Sequence, residues 1–377
     1  MQQNSETQPS PPAAEPPPAP RLPPAGRKFP CKECGARLDF DPAARALHCP
    51  YCGHVEAIQP GEVHEIDWDP YLKQIAGDEA AIAGRSSQVT CASCGAVVLL
   101  EDKVATEKCP YCGVHLENEP ESAQAMIRPG AVLPFAVTGK QANAAFNLWI
   151  ASRWFAPTTL RMFANLGQLS GVYAPFWTYD SMTYTYYAGE RGDDYTVTRR
   201  VDGKTVSETR TRWTSVSGEV QEFFDDVMVY ASQSLPPRKV VKLTPWDLDK
   251  LEDFKPDFLS GFLTERYTIN LAEGWERARA AMDEEIRSLC CRDMGGDHQR
   301  LETVHTQHVG VTFKHILLPI WLATYRYQDK PYRILVNGRT GEVVGERPYS
   351  WVKIGLLVAA VVAAIIAIIL WGMKVHE

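Results

Sequence analysis

Ile354-Gly355-Leu356-Leu357-Val358-Ala359-Ala360-Val361-Val362-Ala363-Ala364-Ile365-Ile366-Ala367-Ile368-Ile369-Leu370-Trp371-Gly372-Met373 is a run without one charged, amide or hydroxyl side chain. At a rise of about 1.5 Å per residue, a helix over 354–373 is about as long as a bilayer core is thick, roughly 30 Å. Tyr349 and Trp351 precede the run and Trp371 lies near its end, where amphipathic rings settle at the two headgroup layers. A buried core helix is usually shorter and amphipathic, so the run predicts one transmembrane helix. Lys374, Val375, His376 and Glu377 follow it, which predicts a tail anchor. Arg339, Arg347 and Lys353 precede the span and Lys374 follows it. The positive-inside rule then predicts a single-pass protein of the inner membrane with its long N-terminal part cytoplasmic.

The 377 residues, 45% hydrophobic and 10% aromatic, are enough for a sizeable core. A net charge of −7 argues against a general nucleic-acid binder, which needs a basic face. Residues 1–28 hold nine of the 27 prolines and predict a disordered arm. No apolar signal segment opens the chain, so the ten cysteines are expected in a reducing compartment, where metal binding is favoured over disulfides.

Eight of those cysteines form an internal repeat. Cys31, Cys34, Cys49 and Cys52 recur as Cys91, Cys94, Cys109 and Cys112 at a constant offset of sixty. Both copies read C-x2-C-x14-C-x2-C and end in Cys-Pro-Tyr-Cys-Gly. Each close pair aims two thiolates at one point, and the connecting residues can fold as a hairpin that joins the pairs into a four-cysteine site. Glycine follows every pair, at Gly35, Gly53, Gly95 and Gly113, as a turn with positive φ favours. The spacing predicts two structural zinc ribbons, at 29–58 and 89–118, joined by a helical linker at 59–88 with a short helix over Tyr71–Ala83. Iron in a rubredoxin-like site is the rival metal. Four thiolates leave no open coordination position, which predicts structural ions rather than catalytic ones. His48, His54 and His115 lie outside the repeat and read as surface residues. Each ribbon is expected to fold with its own metal, and net charges of +1 over 27–60 and −2 over 85–119 give neither a basic face.

Residues 131–349 read as an antiparallel-sheet α+β domain. Leu133, Phe135 and Val137 alternate as a strand, Thr138 can cap a helix to about Trp154, and Asp202-Gly203 marks a hairpin within a β-rich stretch at 171–231. Leu271, Trp275, Ala278, Met282, Ile286 and Leu289 recur at helical steps, with Cys290 and Cys291 at the end as idle or buried thiols. Strands resume at Thr303, and Asn337-Gly338 with Gly341 closes a last hairpin. Ala174-Pro175-Phe176-Trp177 and Leu318-Pro319-Ile320-Trp321 form a weaker repeat. Asp297, His298, His305, His308 and His315 are the remaining metal-ligand types, but His305 and His308 fall on opposite faces of a predicted strand.

Four segments carry a resemblance: Arg153–Pro157, Gly171–Asp180, Phe313–Pro319 and Val336–Val343. With the ribbons, they resemble a bacterial family of membrane-anchored TFIIB-type zinc-ribbon proteins, often catalogued as primosomal protein N′ (replication factor Y), superfamily II helicase. The resemblance covers nearly all of the chain after the proline arm. It implies protein partners of the SPFH (flotillin-like) and phage-shock protein A type in an envelope-stress assembly, and it supplies no catalytic residues.

The helicase label finds no support in the motifs. A motor of that class needs a phosphate loop ending in Gly-Lys-Ser/Thr and an acidic magnesium motif on a strand. The nearest string, Val137-Thr138-Gly139-Lys140-Gln141, has Pro134 where the first glycine belongs and Gln141 in place of the hydroxyl residue. Asp283-Glu284-Glu285 falls on the polar face of a predicted helix. The sequence therefore predicts a non-enzymatic adaptor or scaffold on the lipid bilayer. The alternatives are a zinc protein linked to nucleic acid, which basic patches would mark, and an enzyme within 131–349, which a pocket of converging polar groups would mark.

Overall fold

The structure, a computed structural model, describes residues 29–59, 61–75, 87–100, 109–112, 114, 121–122, 127–156, 169–201, 204–327 and 330–375. The expected arm at 1–28 lies outside them. The first ribbon supplies a small antiparallel sheet of β1 (Asp39–Asp41), β2 (Ala46–His48) and β3 (Val55–Ala57). A two-residue strand, β4 (Ile66–Asp67), leads into α1 (Trp68–Ile75). That helix begins three residues before the expected one, whose remainder at 76–83 lies outside the described residues.

The second ribbon contributes the hairpin β5 (Ser87–Thr90) and β6 (Val97–Leu100), followed by β7 (Glu121–Ser122) and β8 (Ala131–Val132). The strand expected over Leu133, Phe135 and Val137 stops at Val132. Pro134 has no N–H to donate to a ladder, and the segment instead buries Leu133 and Phe135 completely.

Thr138 caps α2 (Gly139–Ala151) by a full capping box with Gln141, so the Gly139-Lys140 pair opens a helix and forms no phosphate loop. α2 ends three residues before Trp154, where the Ser152 hydroxyl donates to the Trp149 carbonyl at 2.7 Å.

Two long strands, β9 (Ser170–Val201) and β10 (Lys204–Tyr230), form the hairpin expected at Asp202-Gly203, with Val201 opposite Lys204. The two loop residues themselves are outside the described ones. Short elements follow: α3 (Pro237–Val240), a 3-10 turn over Val241–Leu243, β11 (Glu252–Asp253) and β12 (Leu263–Glu265). Then come α4 (Leu271–Met294), β13 (His298–Tyr327), β14 (Lys330–Asn337), β15 (Val343–Gly345) and α5 (Trp351–Val375). β13 starts five residues earlier than expected.

β9 is central: β10 pairs along one edge and β13 along the other, both antiparallel. The weaker repeat becomes two neighbouring strand segments, with Ala174 opposite Leu318. Around this trio the described strands assemble a larger, mostly antiparallel sheet with parallel contacts of β12 to β9 and of β8 to β13. α4 covers one face of the trio through Leu271, Gly274, Ala278, Met282, Ile286, Cys290 and Met294. A Cβ at Gly274 would lie 2.4 Å from the Tyr179 hydroxyl, so only glycine lets helix and sheet come this close. Burying Leu271, Met282, Ile286 and Met294 contributes about 1.5–3 kcal/mol each. This outweighs the exposed pairs Arg277–Glu273 and Arg279–Glu276, worth about 0.3–0.5 kcal/mol apiece.

Neither ribbon hangs free of the α+β domain. β6 pairs with β12, which draws the second ribbon into the large sheet. The first docks through the Ser260 hydroxyl on the Leu38 carbonyl at 2.6 Å and through Phe40 edge-on to Phe258. α5 is long and apolar enough to cross a membrane, and its apolar stretch Trp351–Ile368 is not buried against the rest of the chain.

Candidate metal centres and the groups around them

The ligand pairs are shaped by four copies of one local turn. In three of them the backbone is fully described: the amides of Gly35, Gly53 and Gly95 donate to the carbonyls of Cys31, Cys49 and Cys91 at 2.8–3.0 Å. Each of those glycines has φ between 72° and 76°, with open space where a Cβ would stand. Backbone conformation, not crowding, requires them. The fourth glycine, Gly113, lies outside the described residues, but the amide of Cys109 donates to the Val114 carbonyl at 2.8 Å, as the amides of Cys31, Cys49 and Cys91 donate to the carbonyls of Ala36, His54 and Ala96 at 2.6–2.9 Å.

The eight cysteines that the repeat picked out are brought together as two quartets. In each, the four sulfurs lie within 4.8 Å of one another. The shortest separations are 3.5 Å for Cys31–Cys52 and for Cys34–Cys49, then 3.5 Å for Cys91–Cys112 and 3.7 Å for Cys94–Cys109. All are free thiols. A tetrahedron with metal–sulfur bonds of about 2.3 Å has edges of about 3.8 Å, so each quartet fits one metal ion. Cys49 is drawn down to about 6, first by the backbone amide of Cys52. Cys94 is drawn down to about 5, first by a hydrogen bond from Cys109, whose own thiol is pushed up by the same contact. A metal ion would take the place of the shared protons and stabilise all four thiolates.

The two centres differ in setting. In the first, Cys31 and Cys49 are buried in one core with Val132, Phe135 and Tyr173 while Cys34 and Cys52 are exposed; in the second, Cys91, Cys109 and Cys112 are all buried, in one core with Ala131, Val172 and Leu318. Beneath the second centre lies Glu265, 1% exposed. It accepts from Ser232 at 2.6 Å, Tyr230 at 2.9 Å and Ser234. Burial pushes its carboxyl up, and the hydroxyls of Ser232, Ser234 and Tyr230 oppose that shift. Next to it, Arg266 donates to Gln88 of β5 at 2.5 Å and its amide to the Val97 carbonyl at 3.0 Å. This buried polar seam joins the second ribbon to the domain.

Sequence reading missed a second buried cluster. Lys314, 7% exposed, lies 2.8 Å from Asp226, 3.1 Å from Glu65 and 4.0 Å from Asp180. Thr312 also donates to Asp180 at 2.8 Å, and the amide of Asp226, at φ 49°, donates to Asp180 at 2.6 Å. Asp180, Asp225 and Asp226 could hold a cation by proximity, but the Lys314 ammonium already supplies one. Burial works against its charge, and Asp226, Asp180 and Glu65 more than offset that, holding Lys314 above the usual lysine value. Glu65 comes from the linker between ribbons, so the cluster fastens that linker to the sheet.

The histidine candidates are not brought together. His298 meets Asp194 at 3.1 Å and His305 is exposed, while His308 packs edge-on to Trp275. His315 is buried between Trp177 and Tyr267, with Nδ1 donating to the Ile127 carbonyl at 2.9 Å. Burial lowers its pKa to about 4 from an ordinary 6.5. The unfolded chain takes up this proton below about 6.5 while the folded one refuses it until about 4, so stability falls with pH through that window, by about 3 kcal/mol in all. His315→Gln should remove that part of the slope. Urea midpoints that fall equally from pH 6.5 to 4 in both proteins would show that another group is responsible.

No family model matches the chain, and no solved structure matches it. The chain is similar to the uncharacterized protein YdjG of Bacillus subtilis (strain 168), at 25% identity over 329 residues, which cover 86% of this chain and 91% of that one.

Proposed function

We propose that the chain is a zinc-ribbon adaptor held at the cytoplasmic face of the inner membrane by α5, where it gathers protein partners. The observation that carries this reading is the joining of two closed four-cysteine centres to one domain whose last element is an unburied apolar helix. Four thiolates without an open position suit ions that hold shape, and zinc is the metal most suited to that geometry. Arg339, Arg347 and Lys353 before the helix, against Lys374 after it, favour the cytoplasmic orientation. The resemblance points to partners of the SPFH and phage-shock protein A type. Two ribbons held on one surface raise a partner's effective concentration, so neither need bind tightly alone.

Purified full-length protein should contain about two zinc ions per chain by elemental analysis. Metal content near zero, or mainly iron, would sink the zinc assignment. For the adaptor role, photocrosslinking from Tyr184, exposed on the uncovered face of β9, should capture the same proteins from native membranes each time and lose them when α5 is deleted. Capture of nucleic acid, or ATP hydrolysis abolished by changing Lys140, would restore the helicase label.

A further inference from the structure

The first turn of α5 is tied to the domain below it. The Ser350 amide donates to the Phe155 carbonyl at 2.8 Å, and Lys353 Nζ donates to the carbonyls of Trp154 and Ala156 at 3.1 and 2.8 Å. These bonds hold the chain just past α2 at the height where the apolar span begins. At that height Leu148, Trp154, Tyr349 and Trp351 are 74, 72, 55 and 80% exposed. Such side chains are costly in water and suited to a headgroup layer.

An open groove of about 690 Å³ lies beside them, between α2, the turn Val241–Leu243 and β15. Its cations are Arg153, Lys242 and Arg347, and its carboxylates are Glu342 and Glu346. Glu346 is engaged by Lys239 and accepts from the Arg333 amide at 3.4 Å. Among the described residues, no carboxylate pairs with Arg153, Lys242 or Arg347. Arg153 and Arg347 rest on the rings of Trp149 and Tyr349, at 5.1 and 5.3 Å from the centroids. Stacking orients a guanidinium and leaves its N–H donors for an anion. In a chain of net charge −7, two ring-stacked guanidiniums and Lys242 lining one groove, set against the Glu342 carboxylate alone once Glu346 is engaged, leave a positive excess beside an apolar span and call for a negatively charged ligand.

We propose that this groove binds the phosphate of an anionic phospholipid in the leaflet that α5 enters, with Arg153, Lys242 and Arg347 as donors. The proposal rests on α5 being a membrane span. Free phosphate offers the same charge, but a lipid also accounts for Leu148 and Trp154, whose exposed side chains would lie along its glycerol and upper acyl chains.

The test uses the full chain in nanodiscs of phosphatidylcholine with or without phosphatidylglycerol, released into native mass spectrometry. The wild type should retain one phosphatidylglycerol at least about tenfold over phosphatidylcholine. Arg153→Gln, Lys242→Gln and Arg347→Gln together should cut that retention about a hundredfold. Lys242→Gln alone, at an exposed position that leaves both ring stacks intact, should cut it about fivefold. Millimolar inorganic phosphate should not displace the lipid. Insertion with equal retention of both lipids, retention indifferent to these variants, or displacement by phosphate each overturns the proposal alone. Failure to enter either disc overturns the anchor and the proposal with it.

Discussion

Losing the second metal centre should unfold far more than its own ribbon. Cys91, Cys109 and Cys112 share a core with Ala131, Val172, Ile316 and Leu318, which belong to the long strands and their immediate neighbours. β6 is hydrogen-bonded to β12, and Glu265 and Arg266 lie buried along the same seam. Apparent binding free energies of structural zinc run to about 10–16 kcal/mol, and a zinc ion held by this quartet would bring that energy to bear on the domain core. Cys109→Ser should therefore cost the whole protein at least about 5 kcal/mol, equivalent to a fall in Tm of about 10–20 °C for a domain of this size. The first centre is placed differently. Cys31 and Cys49 are buried in a core with Val132, Phe135 and Tyr173, but its sheet is separate from the large one, no strand ladder joins the two among the described residues, and Cys34 and Cys52 are exposed. Cys52→Ser should melt the first ribbon and leave most of the domain's thermal transition in place. Calorimetry of the two variants decides the matter: equal, small losses would mean that the second ribbon is as independent as the repeat alone suggests.

Ending the chain before Trp351 should transfer the protein from the membrane pellet to the soluble fraction. The span at 354–373 contains eleven Ile, Leu and Val residues, and at about −0.3 to −0.6 kcal/mol each these alone favour insertion by roughly 3–7 kcal/mol. Binding through the groove is electrostatic and weakens in salt, since the Debye length shrinks to about 3 Å at 1 M. A high-salt wash thus separates the two contributions. Full-length protein should stay in the pellet through the wash, and the truncated protein should leave it while keeping a cooperative thermal transition. Truncated protein that still sediments after the wash would show that α5 is not the anchor.

Features set by neighbours in the chain were legible from sequence. The two cysteine quartets follow from a spacing that closes two short turns, and the glycines at Gly35, Gly53 and Gly95 follow from the positive φ those turns need. The apolar run of α5, the buried stripe of α4 and the hairpin of β9 with β10 are each written as a local period or turn signal. Helix and strand ends were less legible, because they depend on single atoms such as the Ser152 hydroxyl and the missing N–H of Pro134. Pairings between distant segments were decided only by the tertiary structure. Nothing local to Glu65, Asp180, Asp226 or Lys314 announces that they meet, since their attraction acts only once the sheet has brought them together and excluded water. The same holds for Glu265 under the second ribbon and for Arg153, Lys242 and Arg347 around the groove. A period in the chain fixes what a segment is, and burial with shape and charge complementarity fixes what it touches.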